Sequence, residues 1–300
     1  MYRRILVPLD GSKLAEAALP LAIRIAKCFD SEVILFHGLE QNPPETIHGE
    51  PHIRSREDAK HYFQALHESL SREVEGSKVT FTIHIHEEKY RDVVTSIVDH
   101  IQELKPNLIV LCSHGQASLK KKLLGSIPLK ILSRGTIPVL LVRKPMGTIK
   151  EVLVALDSSS RHDEAIETAV RLSDAWGTKL TLLTVVPTVP TLKGSPFAAG
   201  LHLPKTTRAL LDLEALAIHE HLDTHMKQIG TIKGSIHTIV QRGDPVRKII
   251  QTANSIDSPL LVLGTHRKIG LEAFWSGSVA MQVASRSEFP VFLVPLSRAT

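Results

Sequence analysis

The chain has little that would tie it to a secreted, membrane-spanning or nucleic-acid-binding role. Only two of its 300 residues are cysteine, Cys28 and Cys112, both in the first half. A disulfide framework is therefore not expected, and reduced thiols are. Aromatic residues make up 4% of the sequence, too few for the stacking platforms that grip single-stranded nucleic acid. No apolar run reaches the ~18–20 residues of a membrane span. Met1-Tyr2-Arg3-Arg4-Ile5 runs directly into a strand-like pattern with no secretory core, so a cytoplasmic location is expected. A net charge of +5 permits weak attraction to polyanions without demanding it. Neither a nucleic-acid partner nor a membrane partner is expected. The sequence also has no Gly-Lys-Ser/Thr phosphate loop, no G-x-S-x-G elbow and no carboxylate pair that can be assembled on paper. No catalytic residue is assigned, and the chain is not expected to be an enzyme.

What is present is a globular composition, 43% apolar and 22% charged, in a chain long enough for two cores. The sequence repeats itself. Arg4-Ile5-Leu6-Val7-Pro8-Leu9-Asp10 recurs as Glu151-Val152-Leu153-Val154-Ala155-Leu156-Asp157, 147 residues later. Gly125-Ser126-Ile127 recurs as Gly277-Ser278-Val279, 152 residues later. The repeat is too long for a solenoid unit, so each copy is a domain. Residues 1–145 are expected to form the first and 150–300 the second. The linker is 146–149, where Pro145 and Gly147 interrupt two strand patterns.

Within each copy strands and helices alternate. In the first, a strand at 3–9 precedes a helix at 12–29 with Ser12 as its cap. A strand at 32–38, a polar segment at 40–56 and a helix near 57–75 follow. Then come a strand at 78–86, a helix at 91–104, a strand at 107–112, a helix from 127 and a strand at 137–142. The unbroken apolar runs Leu108-Ile109-Val110-Leu111 and Leu260-Leu261-Val262-Leu263 suit strands covered on both faces. The expected fold class is α/β, two doubly wound domains with five-stranded parallel sheets. Ligands of such sheets sit beyond the carboxyl ends of the strands.

The fourth strand of each copy ends in a glycine-bearing loop. The first reads Cys112-Ser113-His114-Gly115, then nine residues, then Gly125-Ser126; the second reads Gly264-Thr265-His266-Arg267, then nine residues, then Gly277-Ser278. A Gly-Ser pair opening a helix can present N–H groups and a hydroxyl to an anion; equally, the serines can serve as N-caps and the glycines as turns. Lys120, Lys121 and Lys122 lie inside the first span, as phosphate ligands or as a solvated face. Sixteen histidines occur. His84 and His86 share a strand face, and His221 and His225 are one helical turn apart. The pairs do not recur in the other copy, so surface or partly buried histidines are expected and no metal site is assigned.

Taken together these motifs resemble the universal stress proteins, along nearly the whole of both copies. That family has a strand ending in Asp and a G-x-x-G-x9-G-[ST] loop that wraps ribose and phosphates in its ATP-binding members. The resemblance implies an adenine-nucleotide alpha-hydrolase-like fold and an adenine nucleotide, ATP, ADP or AMP, as ligand, with Mg²⁺ as its companion. Carried over residue by residue, the first site would comprise Pro8, Asp10, Gly38, Ser113, Gly115, Gly125, Ser126 and Ile127. The second would comprise Ala155, Asp157, Val185, Gly264, Thr265, Arg267, Gly277, Ser278 and Val279. Both copies depart from the pattern. Cys112 stands where the first has lost its leading glycine, and Arg267 where the second has lost its next. Arg267 either offers a guanidinium to phosphate or fills the pocket. The implied function is a non-catalytic, nucleotide-binding regulatory module of the stress response; the alternative is a tandem scaffold that has lost the nucleotide. Protein partners are unknown, and a C₂ homodimer is predicted.

Overall fold

The structure is a computed structural model that describes residues 1–47, 49–90, 93–112, 124, 126–134, 137–156, 163–192, 202–229, 232–266 and 278–296. The chain divides into two compact units that adjoin in sequence at Gly147 and Thr148.

The first unit is built on strands β1 (Arg4–Pro8), β2 (Glu32–Glu40), β5 (Thr80–Tyr90), β6 (Leu108–Cys112) and β7 (Val139–Val142). Their spatial order is β7-β6-β1-β2-β5, and the pairings are parallel. Ile5, Leu6 and Val7 of β1 and Leu108, Ile109 and Val110 of β6 are fully buried. Continuous burial, rather than alternation, means that both faces of the central strands are covered. The covering helices are α1 (Lys13–Glu16), α2 (Leu19–Phe29), α3 (Arg56–Glu73), α4 (Val93–Leu104) and α5 (Ser126–Arg134).

The expected single helix over 12–29 is in fact two. Pro20 lies in the first turn of α2 and has no N–H to give the carbonyl four residues back. The ladder therefore stops at Glu16 and restarts at Leu19, while Ala17 and Ala18 stay in the right-handed region. Nor is the polar segment at 40–56 featureless. It contains a two-stranded antiparallel hairpin, β3 (Thr46–Ile47) with β4 (Glu50–Pro51). α3 begins in a capping box: Ser55 Oγ accepts from the Asp58 N–H, and Asp58 Oδ2 accepts from the Ser55 N–H.

The second unit repeats the plan with β8 (Glu151–Leu156), β9 (Lys179–Val186), β10 (Ile236–Arg242), β11 (Pro259–His266) and β12 (Val291–Leu296). The order is β10-β9-β8-β11-β12, again parallel. Its helices are α6 (Asp163–Trp176), α7 (Pro204–Ile229), α8 (Pro245–Ser255) and α9 (Val279–Arg286). Among the described residues no helix is long and apolar enough to cross a membrane.

Candidate functional site

In each unit the first strand lies inside the sheet, with the next two strands added on one side and the last two on the other. The direction of winding thus switches between β1 and β6, and between β8 and β11. At such a switch point the connections leave to opposite faces and open a crevice at the carboxyl ends of the strands.

In the first unit Pro8 pairs with Phe36, and the Leu9 N–H donates to the Phe36 carbonyl at 2.8 Å. Asp10 therefore leaves the sheet level with Gly38. Its Oδ1 accepts from the Ser12 N–H at 2.9 Å and from the Ser12 hydroxyl at 2.7 Å, a turn that Gly11 makes possible with φ +90°. The same Ser12 Oγ accepts from the Ala15 N–H and caps α1, as expected. β6 ends beside this turn at Cys112. α5 starts at Ser126, with Ile127 half-buried in its first turn. Ser113, Gly115, Gly125 and the three lysines lie outside the described residues.

Gly38 has a packing reason to be glycine. It is buried, and a Cβ there would sit 2.7 Å from Ser96 Oγ of α4. The strand end is also covered by part of the polar segment 40–56. Ile53 is buried, with Cγ1 2.8 Å from where a Cβ on Gly11 would be. Glu50 Oε2 accepts from the Lys13 N–H at 2.6 Å, placing a carboxylate at the first turn of α1.

Two further titratable groups lie below this cover. The His37 Nδ1–H donates to the Leu9 carbonyl at 2.8 Å. Burial pushes the His37 imidazole below the ordinary histidine value, against the opposing pull of that carbonyl. The Tyr62 hydroxyl donates to Glu16 Oε1 at 3.1 Å. Burial, followed by the Glu16 charge, raises its pKa far above the usual phenol range. The sequence signal for this layer is faint, because nothing local says that Glu50 and Ile53 come back over the loop after β1.

In the second unit Ala155 pairs with both Leu183 and Leu263, so Val185, Gly264 and Thr265 extend beyond it at the same sheet end. Thr265 is buried, its hydroxyl donating to the Val294 carbonyl at 3.3 Å. Asp157, Arg267 and Gly277 lie outside the described residues. Ser278 is the N-cap of α9, its Oγ accepting from the Met281 N–H at 3.2 Å; Val279 follows, exposed. Gly243 and Asp244 form the turn from β10 into α8: Gly243 has φ +138°, and Asp244 caps α8 by accepting from the Arg247 N–H.

The histidine pair of the first unit gains a partner that sequence spacing did not reveal. His100, on α4, meets His84 and His86 of β5, and the ligand-capable atoms of all three lie within 4.8 Å of one another. The signal would have been a histidine on the inward face of the helix that follows the strand. The side chains of His221 and His225 lie outside what the structure describes.

The model of the universal stress protein family matches residues 1–143 and, a second time, residues 148–295. A universal stress protein of Mycobacterium tuberculosis strain H37Rv, Rv2319c, is 20% identical over 97% of this chain and 99% of its own length. The universal stress protein MJ0531 of Methanocaldococcus jannaschii is 30% identical over 48% of this chain and 84% of its own. Among solved structures, the functionally unknown protein PA1789 of Pseudomonas aeruginosa PAO1 has the same fold, with a TM-score of 0.68 at 20% identity over 98% of this chain and 93% of that one. The chain belongs to the universal stress protein family, with two copies of the family's domain in one polypeptide.

Proposed function

We propose that this protein is a non-catalytic regulatory module whose first domain takes an adenine nucleotide at the switch point between β1 and β6. The observation that carries the reading is Asp10. It stands at the carboxyl end of β1, held by Ser12 through one carboxylate oxygen and level with Gly38. A carboxylate fixed there can accept hydrogen bonds from the nucleoside. The start of α5 at Ser126, which returns the chain from β6 to β7, suits the phosphates. Asp10 and Glu50 already accept from N–H groups. Mg²⁺ would enter only as the companion of a bound triphosphate.

Binding would act by population shift, stabilising one arrangement of the loop after β1 that a protein partner, or a second copy of the chain, then reads. Calorimetry with ATP, ADP and AMP on the full chain tests this. Heat that saturates below millimolar nucleotide and is lost in Asp10→Asn supports it. No heat at millimolar nucleotide overturns it.

One observation favours the scaffold reading instead. Ile53 and Glu50 already cover the loop that would receive the nucleoside, so a nucleotide must displace the hairpin or share the space with it. Substituting Ile53→Ala separates the two. In the sensor reading, uncovering the strand end leaves affinity equal or improved; in the scaffold reading neither form binds.

A further inference from the structure

β5 is the edge strand of the first unit's sheet, and His84 and His86 are two apart on it, on one face. In register they stand beside Phe36 and Gly38 of β2. Because Gly38 has no side chain, α4 can settle onto β2 until Ser96 Oγ occupies the space a Cβ would need. One turn after Ser96 comes His100, buried at 4% exposure. Its ring lies 4.9 Å from that of His84 and 4.3 Å from that of His86. Phe36 forms an apolar wall, stacked on His84 at 5.6 Å and tilted against His100 at 5.1 Å.

From this arrangement we infer that His84, His86 and His100 form a binding site for a divalent transition-metal ion, zinc foremost, that pins the edge strand β5 to α4. Four features carry the inference. The first is convergence: one nitrogen from each ring lies within 4.8 Å of the others. Zinc–nitrogen bonds of ~2.0–2.1 Å put tetrahedral ligands about 3.3 Å apart, so each pair need close by about 1.5 Å at most, a side-chain adjustment. The second is tautomer. The His100 Nδ1–H donates to the Ser96 carbonyl at 2.7 Å, which leaves the Nε2 lone pair for the ion, as outer-shell carbonyls do for metal-bound histidine.

The third feature is an unexplained polar atom. His84 Nε2 is buried and has no hydrogen-bond partner among the described residues, a cost that a metal–nitrogen bond removes. The fourth is charge. Glu103 Oε2 lies 3.7 Å from His100 Nε2, on a side chain 65% exposed. A carboxylate on the open side of three imidazoles can serve as a fourth ligand or offset the charge of the ion. Three histidines and one carboxylate or water match the donors zinc takes. A packed aromatic cluster is the rival account; it explains the stacking on Phe36 but not three imidazole nitrogens within 4.8 Å of one another.

The test uses the full chain without a histidine tag, stripped with chelator and titrated with zinc by calorimetry. One ion per chain with Kd below about 1 μM is expected. With zinc at about 100 times Kd, the first unit's melting temperature should rise by ~5–10 °C. Cobalt(II), which takes the same ligands, should give visible absorption that zinc abolishes. His86→Asn and His100→Asn should each weaken zinc by more than the ~10–100-fold that loss of an outer partner costs, and Glu103→Gln by about that amount. Should His100→Asn not fold, His86→Asn on the exposed edge strand decides. No binding tighter than about 10 μM, or binding unchanged by these substitutions, overturns the site.

Discussion

Gly38→Ala adds one methyl group at the place where β2, α4 and the switch-point end of the sheet meet. The new Cβ would lie 2.7 Å from Ser96 Oγ and 3.3 Å from Ser96 Cβ. An ordinary contact needs about 3.4 Å or more, so the oxygen must retreat by roughly 0.7 Å. Ser96 is fully buried and its backbone carbonyl holds His100, so α4 has to shift with it. Overpacking of this kind costs about 1–3 kcal/mol. Alanine recovers about 0.5–1 kcal/mol of that, because it has less backbone freedom to lose than glycine. The expected net loss is about 1–2 kcal/mol, confined to the first unit. In urea, at a slope of about 1–3 kcal/mol/M, the first unit's midpoint should fall by ~0.5–1 M while the second unit's stays put. Ser96→Ala removes the oxygen that clashes and one buried hydroxyl without a hydrogen-bond partner among the described residues. Gly38→Ala with Ser96→Ala should therefore cost less than the two single changes summed, by ~0.5 kcal/mol or more. Strict additivity, or a Gly38→Ala protein as stable as the wild type, would refute the reasoning.

Three further outcomes are expected. Burial holds the His37 pKa below the unfolded value of about 6.5, so its stabilisation is full above that pH and is lost as pH falls. The first unit's unfolding free energy, from urea titrations, should drop between pH 7 and 5, by up to about 1.4 kcal/mol per pH unit from this group. His37→Asn, which keeps a donor toward the Leu9 carbonyl, should flatten that drop; an equal drop in the variant contradicts the assignment. Ser278→Ala removes the N-cap of α9 and should cost the second unit about 1 kcal/mol in thermal or urea unfolding, whereas a change below ~0.3 kcal/mol would mean that the cap is replaced. Gly11→Ala forces a Cβ both into φ +90° and onto Ile53, and should cost the first unit about 1–2 kcal/mol; no loss would mean that the loop after β1 is not held as described.

Repetition made most of the fold legible. Two copies of an apolar strand ending in Asp, with buried runs at 108–111 and 260–263, are enough to specify alternating units and a parallel sheet, because a strand covered on both faces must be apolar throughout. The strand-end turn at Asp10 and the caps at Ser12 and Ser278 are legible for a local reason, since each bond spans only two or three residues. What could not be read is long-range. Ile53 over Gly11 spans 42 residues, and Glu50 to Lys13 spans 37; no periodicity encodes either. The break at Pro20 is a local signal, a proline in the first turn of α2. The meeting of His100 with His84 and His86 is not legible in any single pattern, because it combines a 3.6-residue helix period with a two-residue strand period.

The central claim is that the carboxylate at the end of β1 receives a nucleoside. Its most direct test is denaturing release and chromatography of whatever co-purifies with the full chain, paired with calorimetry of the stripped protein and its Asp10→Asn variant with ATP, ADP and AMP. The account predicts a released or rebound adenine nucleotide, and affinity in the variant reduced by about tenfold or more, the value of one hydrogen bond to a charged group. A protein that releases nothing and gives no heat at millimolar nucleotide, or one whose affinity is indifferent to Asp10, would contradict it.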